Sequence, residues 1–501
     1  MTGVGATIRR ASAARTSAPP VKESCAAGAA AGTPRAAQPV APDRVDHPVQ
    51  AGPGDPHFLP TVGRWHSAPV TTLSSDAIRG APSSHGRFGR WAPRILCGAI
   101  LLVAIVLRLV NFDVPERSPD EGLWTKFGAN IARDGPAWVT RLTHDFNRDA
   151  DVEYPWQQRI GFTCLIGLAM RVSGDSTVRT AEAVSALSSV ALVALTGVVA
   201  LEFLGPWVAV MAMLFLAASP LDLALARRAW QDDVMALLTL LMVWAFLRHA
   251  ARGDRGSAAV FFVISAYALV VKESAVIAFG LGTLGLALVA WRRSRGWKQP
   301  LLVLTAGAAA ALFALGVVVA VSGGWTELHR TLELSREALA PDDYLRKYQM
   351  GGVGYYVTGL RILQPVPFLL GALGAVLAVL RVPFMASGVA TPRARGALVA
   401  LGWLVLGFGA VAFSYYSKNL RFLSPIYAPV CLLAAALVWS GLASLRARAP
   451  RPVALAGAIA VVIALTASAV LDARRFDHYF NELQMQDLAT PWFTQADQAD
   501  K

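Results

Sequence analysis

The sequence predicts an all-α polytopic membrane protein, on three observations. Of its 501 residues, 55% are hydrophobic and only 16% are charged, where a soluble globule carries roughly 25% charge. Mean hydropathy is +0.46, and the long apolar runs all lie beyond Arg94. Those runs recur, with short breaks, at the length needed to cross a hydrocarbon layer of roughly 30 Å. The net charge of +13 reads as topology, because basic residues collect in the cytoplasmic loops of membrane proteins; it implies no nucleic-acid partner. Cys25, Cys97, Cys164 and Cys431 lack the paired spacing of a disulfide framework or a zinc site.

Taken in order, residues 1–93 are rich in Ala, Pro, Ser, Gly and Arg, without apolar periodicity or a signal-peptide core, and are expected to be a disordered cytoplasmic tail. The transmembrane domain is expected over 94–472, with eleven spans near 95–112, 178–202, 205–223, 233–249, 257–271, 274–291, 300–322, 353–380, 396–414, 422–441 and 452–471. Residues 113–177 form a first outer loop. Within it Ile160–Val172 is apolar but short, and Arg159 and Arg171 sit at its edges. If that piece does not cross, the breaks after the even-numbered spans share the side of the tail. They then hold Arg248, Arg252, Arg255, Arg292, Arg293, Arg295, Lys298, Arg381, Arg393, Arg395, Arg446, Arg448 and Arg451 against Glu202 and Asp254. This charge bias assigns the piece to a juxtamembrane helix on the outer surface. A second outer loop, 323–352, has room for short amphipathic helices, and 473–501 is a short outer C-terminal tail. No internal repeat and no matched pair of interrupted helices is expected.

Five constellations share the outer face. Ser118-Pro119-Asp120-Glu121-Gly122 places two acids at the mouth of a span, where a carboxylate can act as general base or hold a divalent cation; the same residues also read as an N-cap. Glu153-Tyr154-Pro155-Trp156 suits sugar stacking, and equally an interfacial aromatic belt. Arg227-Arg228-Ala229-Trp230-Gln231-Asp232-Asp233 sets two arginines against the charge bias, as phosphate binders or as partners of Asp232 or Asp233. Lys272-Glu273 puts a lysine between two apolar helices, where an ionisable group is expensive unless it functions or pairs. In Ser417-Lys418-Asn419-Leu420-Arg421-Phe422, Lys418 and Arg421 would share a helical face and could join Arg227 and Lys272 in a cationic basket for phosphate; they also read as flanking anchors. No Walker loop or dinucleotide fingerprint is present.

In this order the motifs resemble the GT-C glycosyltransferases, especially the relatives of protein O-mannosyltransferases and of the lipid A aminoarabinose transferases. The resemblance runs from about Arg94 to Leu442. Ser118-Pro119-Asp120-Glu121-Gly122 resembles the acid pair of the first outer loop, Ala132-Arg133-Asp134-Gly135 the small-residue turn after it, and Glu153-Tyr154-Pro155 the acid-x-Pro start of the juxtamembrane helix. Ser173-Gly174-Asp175-Ser176 through Arg179 is similar to the stretch before the second span. Ser219-Pro220, Arg227 and Asp232 or Asp233 are similar to a Ser-Pro…Arg…Asp pattern, and Lys272 and Lys418-x-x-Arg421-Phe422-x-x-Pro425 to the later lysine and K-x-x-R-Y-x-x-P elements. Phe422 stands where tyrosine is usual, and Glu153-Tyr154-Pro155-Trp156 lacks both the second proline of mannosyltransferases and the Glu-Lys-Pro of lipid A modifiers.

The resemblance implies transfer of a sugar from a polyprenyl-phosphate donor to a lipid, glycan or protein acceptor on the outer or periplasmic side of a bacterial inner membrane. Asp120, with Glu121 as neighbour or substitute, is then the base for the acceptor hydroxyl. Arg227, Lys272, Lys418 and Arg421 stabilise the departing phosphate, while Glu153, Tyr154, Asp232 and Asp233 complete the substrate-binding set. In-line displacement inverts the anomeric carbon. The sequence marks no certain cofactor, and a divalent cation is compatible with the acids. A transporter or flippase of a lipid-linked anion, or a glycan polymerase or ligase, is the alternative.

Overall fold

In a computed structural model of the chain, residues 87–110, 118–338, 345–352, 354–386, 391–415 and 417–499 are described; the expected tail lies outside them up to residue 86. Among the described residues the secondary structure is helical, apart from one isolated antiparallel bridge, Met350–Ser417. The first span, α1 (Arg87–Leu109), leads to three loop helices, α2 (Pro119–Asp134), α3 (Ala137–Arg148) and α4 (Ile160–Ser173). Then come α5 (Val178–Phe203), the bent pair α6 (Pro206–Ala217) and α7 (Pro220–Ala226), α8 (Asp232–Arg252), α9 (Arg255–Val271), α10 (Ala275–Ser294) and α11 (Lys298–Val321). The second loop carries α12 (Trp325–Ala338). It is followed by α13 (Gly354–Leu363), α14 (Pro365–Val379), the short α15 (Pro383–Ala386), α16 (Pro392–Ser414), α17 (Ser424–Arg448), α18 (Arg451–Phe476) and α19 (Thr490–Ala499).

Eight of these helices are long and apolar enough to cross a membrane, nine if the bent pair counts as one span. The chain is a multi-pass membrane protein. Two of the eleven expected spans, α9 and α14, are shorter apolar helices. The expectation of uninterrupted spans at 205–223 and 353–380 is corrected. Both break before a proline, which has no N–H to continue a helix and restricts the residue ahead of it. Pro220 starts α7 at 61° to α6, and Pro365 starts α14 with only Gln364 between it and the end of α13.

A break inside an apolar bundle leaves carbonyls that lipid cannot satisfy. Here buried side chains satisfy them. The Arg108 guanidinium donates to the carbonyls of Leu216 (3.1 Å) and Ala217 (3.2 Å) at the end of α6, to Ala104 (3.3 Å), to the Ser189 hydroxyl (2.5 Å) and to Asp222. Those five bonds use all five donors of an arginine. The two breaks also meet, since Ser219 donates to Gln364 Oε1 at 2.8 Å.

The α4 segment is 14 residues long, about 21 Å at helical rise, and does not meet the length of a span. It packs on α2 through a crossing of small residues. A Cβ on Gly128 would stand 2.3 Å from Ile166 Cγ2, and one on Gly167 would stand 3.1 Å from the Gly128 carbonyl oxygen. Glycines at both positions let the backbones approach as in other tight membrane-helix pairs. The second loop folds against the first, where Asn147 donates to the Glu327 side chain (2.6 Å) and Thr331 to Asn147 (2.8 Å).

The C-terminal segment is a strap, not a free end. Beyond α18 the chain forms a widened turn over Asp477–Glu482 and returns to the mouth of the bundle. There the Leu420 N–H donates to the Leu488 carbonyl (3.1 Å), Asn419 to Asp487 (2.9 Å), and Thr490 is tied to Tyr355.

Candidate active site

The start of α2 is shaped by its own sequence. Ser118 is extended before the helix, Pro119 occupies the first turn, and Glu121 Oε1 accepts from the Ser118 N–H at 3.1 Å, as expected of an acid placed to cap free N–H groups. Successive helical residues point roughly 100° apart, so the two acids face different surroundings. Glu121 is fully buried and accepts from Arg228 Nη1 at 2.8 Å. Asp120 keeps 42% of its side chain exposed and meets Arg421 Nη1 at 3.1 Å. The expectation that Glu121 could substitute for Asp120 is therefore corrected: its carboxylate is enclosed and engaged in a cap and an ion pair.

Arg421 reaches Asp120 from the short turn Leu420–Leu423, which is pinned by Tyr427 donating to the Leu420 carbonyl and by the Arg421 N–H donating to Asn419 (3.1 Å). Its guanidinium lies 5.1 Å from the Trp230 ring and 5.8 Å from the Phe422 ring. The buried Nε has no partner, and among the described residues Nη2 makes no bond either. One edge of the fork is thus held by Asp120, and the other carries two donors without an acceptor among the described residues, the pair of donors with which arginine grips a phosphate in two bonds.

Lys272 also meets Phe422, its amine 5.2 Å from the ring centroid and 2.5 Å from Asp232 Oδ1. Burial pushes the Lys272 amine below the ordinary lysine value, against the pull of the Asp232 charge. The second oxygen of Asp232 is buried and has no partner among the described residues. Next to Lys272, Glu273 pairs with Arg159 at 2.8 Å, and Arg159 lies over Trp156 and Trp124. Burial works against the Glu273 charge, but Arg159 prevails and brings its carboxyl down to about 2. This pair ties the first loop to the α9–α10 break.

The cluster of Asp120, Arg421, Asp232 and Lys272, floored by Trp230 and Phe422, is what the structure assembles from the residues expected at the site. Others stand elsewhere. Arg227 turns to the C-terminal strap and the end of α1, donating to Asn481 (3.2 Å) and the Leu107 carbonyl (3.1 Å). Lys418 precedes the turn in extended chain, so it does not share a helical face with Arg421; its amine caps the Tyr415 carbonyl at the end of α16, at 2.5 Å. Asp233 is fully buried, with neither carboxylate oxygen partnered among the described residues, within electrostatic reach of Asp222 and Arg108. Glu153 pairs with Lys126 at 2.7 Å, six residues and about 9 Å along α2 from Asp120. Tyr154 packs edge-on against Phe146 and Trp156.

Sequence reasoning missed three participants. Arg228 and Trp230 lie inside a motif that drew attention to Arg227; Trp230, nearly fully buried, donates to Ser118 Oγ at 3.2 Å. Asp487 comes from the strap, within electrostatic reach of Arg421, and no local pattern announces it. Among the described residues no group of three His, Cys, Asp or Glu side chains is arranged to hold a metal ion. An apolar cavity of about 380 Å³ opens between α14, α16 and α17, and reaches Leu423, two residues from Arg421.

Residues 159–319 match the sequence profile of a family described as dolichyl-phosphate-mannose-protein mannosyltransferase. The match bears out the resemblance over those residues, which include Arg227, Asp232, Asp233 and Lys272. No curated protein matches the sequence. Among solved structures, ArnT from Cupriavidus metallidurans in the apo state is similar at 17% identity and a TM-score of 0.49, over 77% of this chain and 75% of that one. The archaeal oligosaccharyltransferase AglB from Archaeoglobus fulgidus, in complex with an inhibitory peptide and a dolichol-phosphate, is similar at 13% identity and a TM-score of 0.49, over 78% and 56%. The arabinosyltransferase EmbB from Mycobacterium smegmatis is similar at 16% identity and a TM-score of 0.47, over 75% and 32%.

Proposed function

We propose that the protein is a membrane glycosyltransferase of the GT-C type. It transfers a hexosyl or pentosyl group from a polyprenyl-phosphate donor to an acceptor hydroxyl or phosphate on the outer, periplasmic face, with inversion. The observation that carries this reading is Arg421, which holds Asp120 on one edge and keeps two donors without acceptors among the described residues on the other, with Lys272 against the same Phe422 ring. In the mechanism the donor phosphate takes that open edge and draws charge from the Arg421–Asp120 pair. Asp120, partly exposed, then accepts the proton of the acceptor hydroxyl. The acceptor oxygen bonds to the anomeric carbon as the bond to the phosphate oxygen breaks, and the electron pair leaves with the carrier phosphate, stabilised by Arg421 and Lys272. The cavity beside Leu423 takes the first isoprene units. Trp230 and Phe422 supply aromatic faces. The family match over residues 159–319 supports the donor class.

The test is transfer from radiolabelled polyprenyl-phosphate sugar by purified protein. Asp120→Asn is expected to lower the rate by about 10²- to 10⁴-fold, the usual worth of a general base, with the melting temperature unchanged. Transfer retained in Asp120→Asn removes the base assignment. Label crossing the bilayer without a new glycosidic bond removes the enzyme reading altogether.

A further inference from the structure

The far end of the bundle carries a second, larger cavity that this chemistry does not use. It has a volume of about 1230 Å³ and lies between α8, α10, α15 and α16; small-molecule pockets are usually roughly 300–1,000 Å³. On α8 its lining runs between Thr239 and Ala251, about 10 to 28 Å along the helix from Asp232, and the arginines stand at the far end. The Asp120 cluster is therefore out of reach of a headgroup seated at its mouth.

Its wall is apolar and open. Leu281, Leu284 and Leu288 recur at helical spacing on α10, and Trp403 of α16 also lines the space; all four are exposed. In a membrane, such a surface is covered by acyl chains. Four arginines stand at the mouth: Arg292 in the last turn of α10, Arg381 between α14 and α15, and Arg393 and Arg395 in the first turn of α16. Among the described residues no acidic side chain lines the cavity. Other arginines at this end find acceptors. Arg248 and Arg252 pair with Glu202, at 3.2 and 2.9 Å, and Arg293 caps the His249 carbonyl at 3.1 Å. Arg292, Arg381, Arg393 and Arg395 have no ion-pair partner among the described residues. Two of them also crowd the positive end of α16, where the helix dipole disfavours a cation and favours an anion.

We infer that this cavity binds an anionic glycerophospholipid, with its acyl chains along the α10–α16 wall and its phosphate gripped by the four guanidinium groups. The pattern is that of basic pockets between membrane helices which hold lipid headgroups. The site has no general base, so the lipid there is a bound component of the fold and not a substrate.

The experiment uses the full chain reconstituted in phosphatidylcholine vesicles doped with either dibromo-phosphatidylglycerol or dibromo-phosphatidylcholine. Bromine quenches neighbouring indoles, and the difference between the wild-type chain and Trp403→Phe isolates the Trp403 signal. Phosphatidylglycerol is expected to quench it at a mole fraction on the order of tenfold lower than phosphatidylcholine. The combined variant Arg292→Gln, Arg381→Gln, Arg393→Gln, Arg395→Gln is expected to abolish that preference at an unchanged melting temperature; should it not fold, the pair Arg393→Gln and Arg395→Gln is expected to reduce the preference severalfold. Equal quenching by the two lipids in the wild-type chain overturns the inference. A preference that survives in the folded variants overturns it too, as does displacement of the quencher by equimolar undecaprenyl phosphate.

Discussion

Asp120 and Glu121 are neighbours in the chain and part company at one step of helical rotation. The sequence makes the acid pair visible, because two carboxylates at the mouth of a span have few reasons to be there. It cannot say which is reachable, because Glu121 is enclosed by Arg228, a residue more than a hundred positions away. The same limit applies to the cations. Arg227 and Arg228 are equivalent as letters, yet one is tied to the strap and the end of α1 while the other holds the cap of α2. Lys272 was legible on its own, since a lone amine between two apolar helices must be paired, and Asp232 pairs it. Its burial has a consequence for pH. A depressed amine loses its proton below the ordinary lysine value of about 10.4, so the phosphate-stabilising charge is present below the lowered value and lost as pH rises through it. The alkaline limb of transfer should therefore fall below that value. Lys272→Arg, which stays protonated, should move the limb upward even if the maximal rate drops. A pH–rate profile that Lys272→Arg leaves in place would show that another group sets the limb.

The helices that the sequence drew too long are informative at the scale of elements. Ser219-Pro220 and Gln364-Pro365 are visible as proline signals, but a hydropathy window runs across both because the flanking residues are apolar. What the window cannot see is the compensation. Arg108, counted in sequence as part of a first span, supplies five bonds that satisfy the end of α6, Asp222 and Ser189. This is the condition under which broken helices persist in a membrane protein. It also bears on the transporter alternative, because an arginine whose donors are all committed to the protein has none left for an anionic cargo. Removing it alone leaves Asp222 buried without its cationic partner and takes one donor from each of the Leu216 and Ala217 carbonyls. Arg108→Met should cost about 3–5 kcal/mol, the range for breaking a buried ion pair by one partner, and Arg108→Met with Asp222→Leu should regain part of that. Thermal unfolding in detergent measures both. An unchanged melting temperature in Arg108→Met would mean that the break is held by packing instead.

For the whole molecule, the fold class and the loop helices were legible because apolar length and charge bias are properties of composition. The gathering of the site was not, since it depends on chain ends meeting. The strap brings Asp487 beside a turn that holds Arg421, and Arg421 reaches back across 301 positions to Asp120. What charge bias predicts beyond the fold is a direction. The clustered arginines at one end of the bundle should face the cytoplasm, and the Asp120 cluster with both loops should face out. Single-cysteine probes in a chain with Cys25, Cys97, Cys164 and Cys431 replaced by serine can read this in intact cells. Asp151→Cys in the first loop and Glu333→Cys in α12 should react with a membrane-impermeant maleimide. Arg255→Cys and Arg448→Cys should react only after permeabilisation. The reverse pattern would place the acid–cation cluster on the cytoplasmic side, where soluble nucleotide sugars are available and a lipid-linked donor loses its rationale. Reaction at all four positions before permeabilisation would contradict any topology with an even number of crossings between Glu333 and Asp151 and an odd number between either and Arg255.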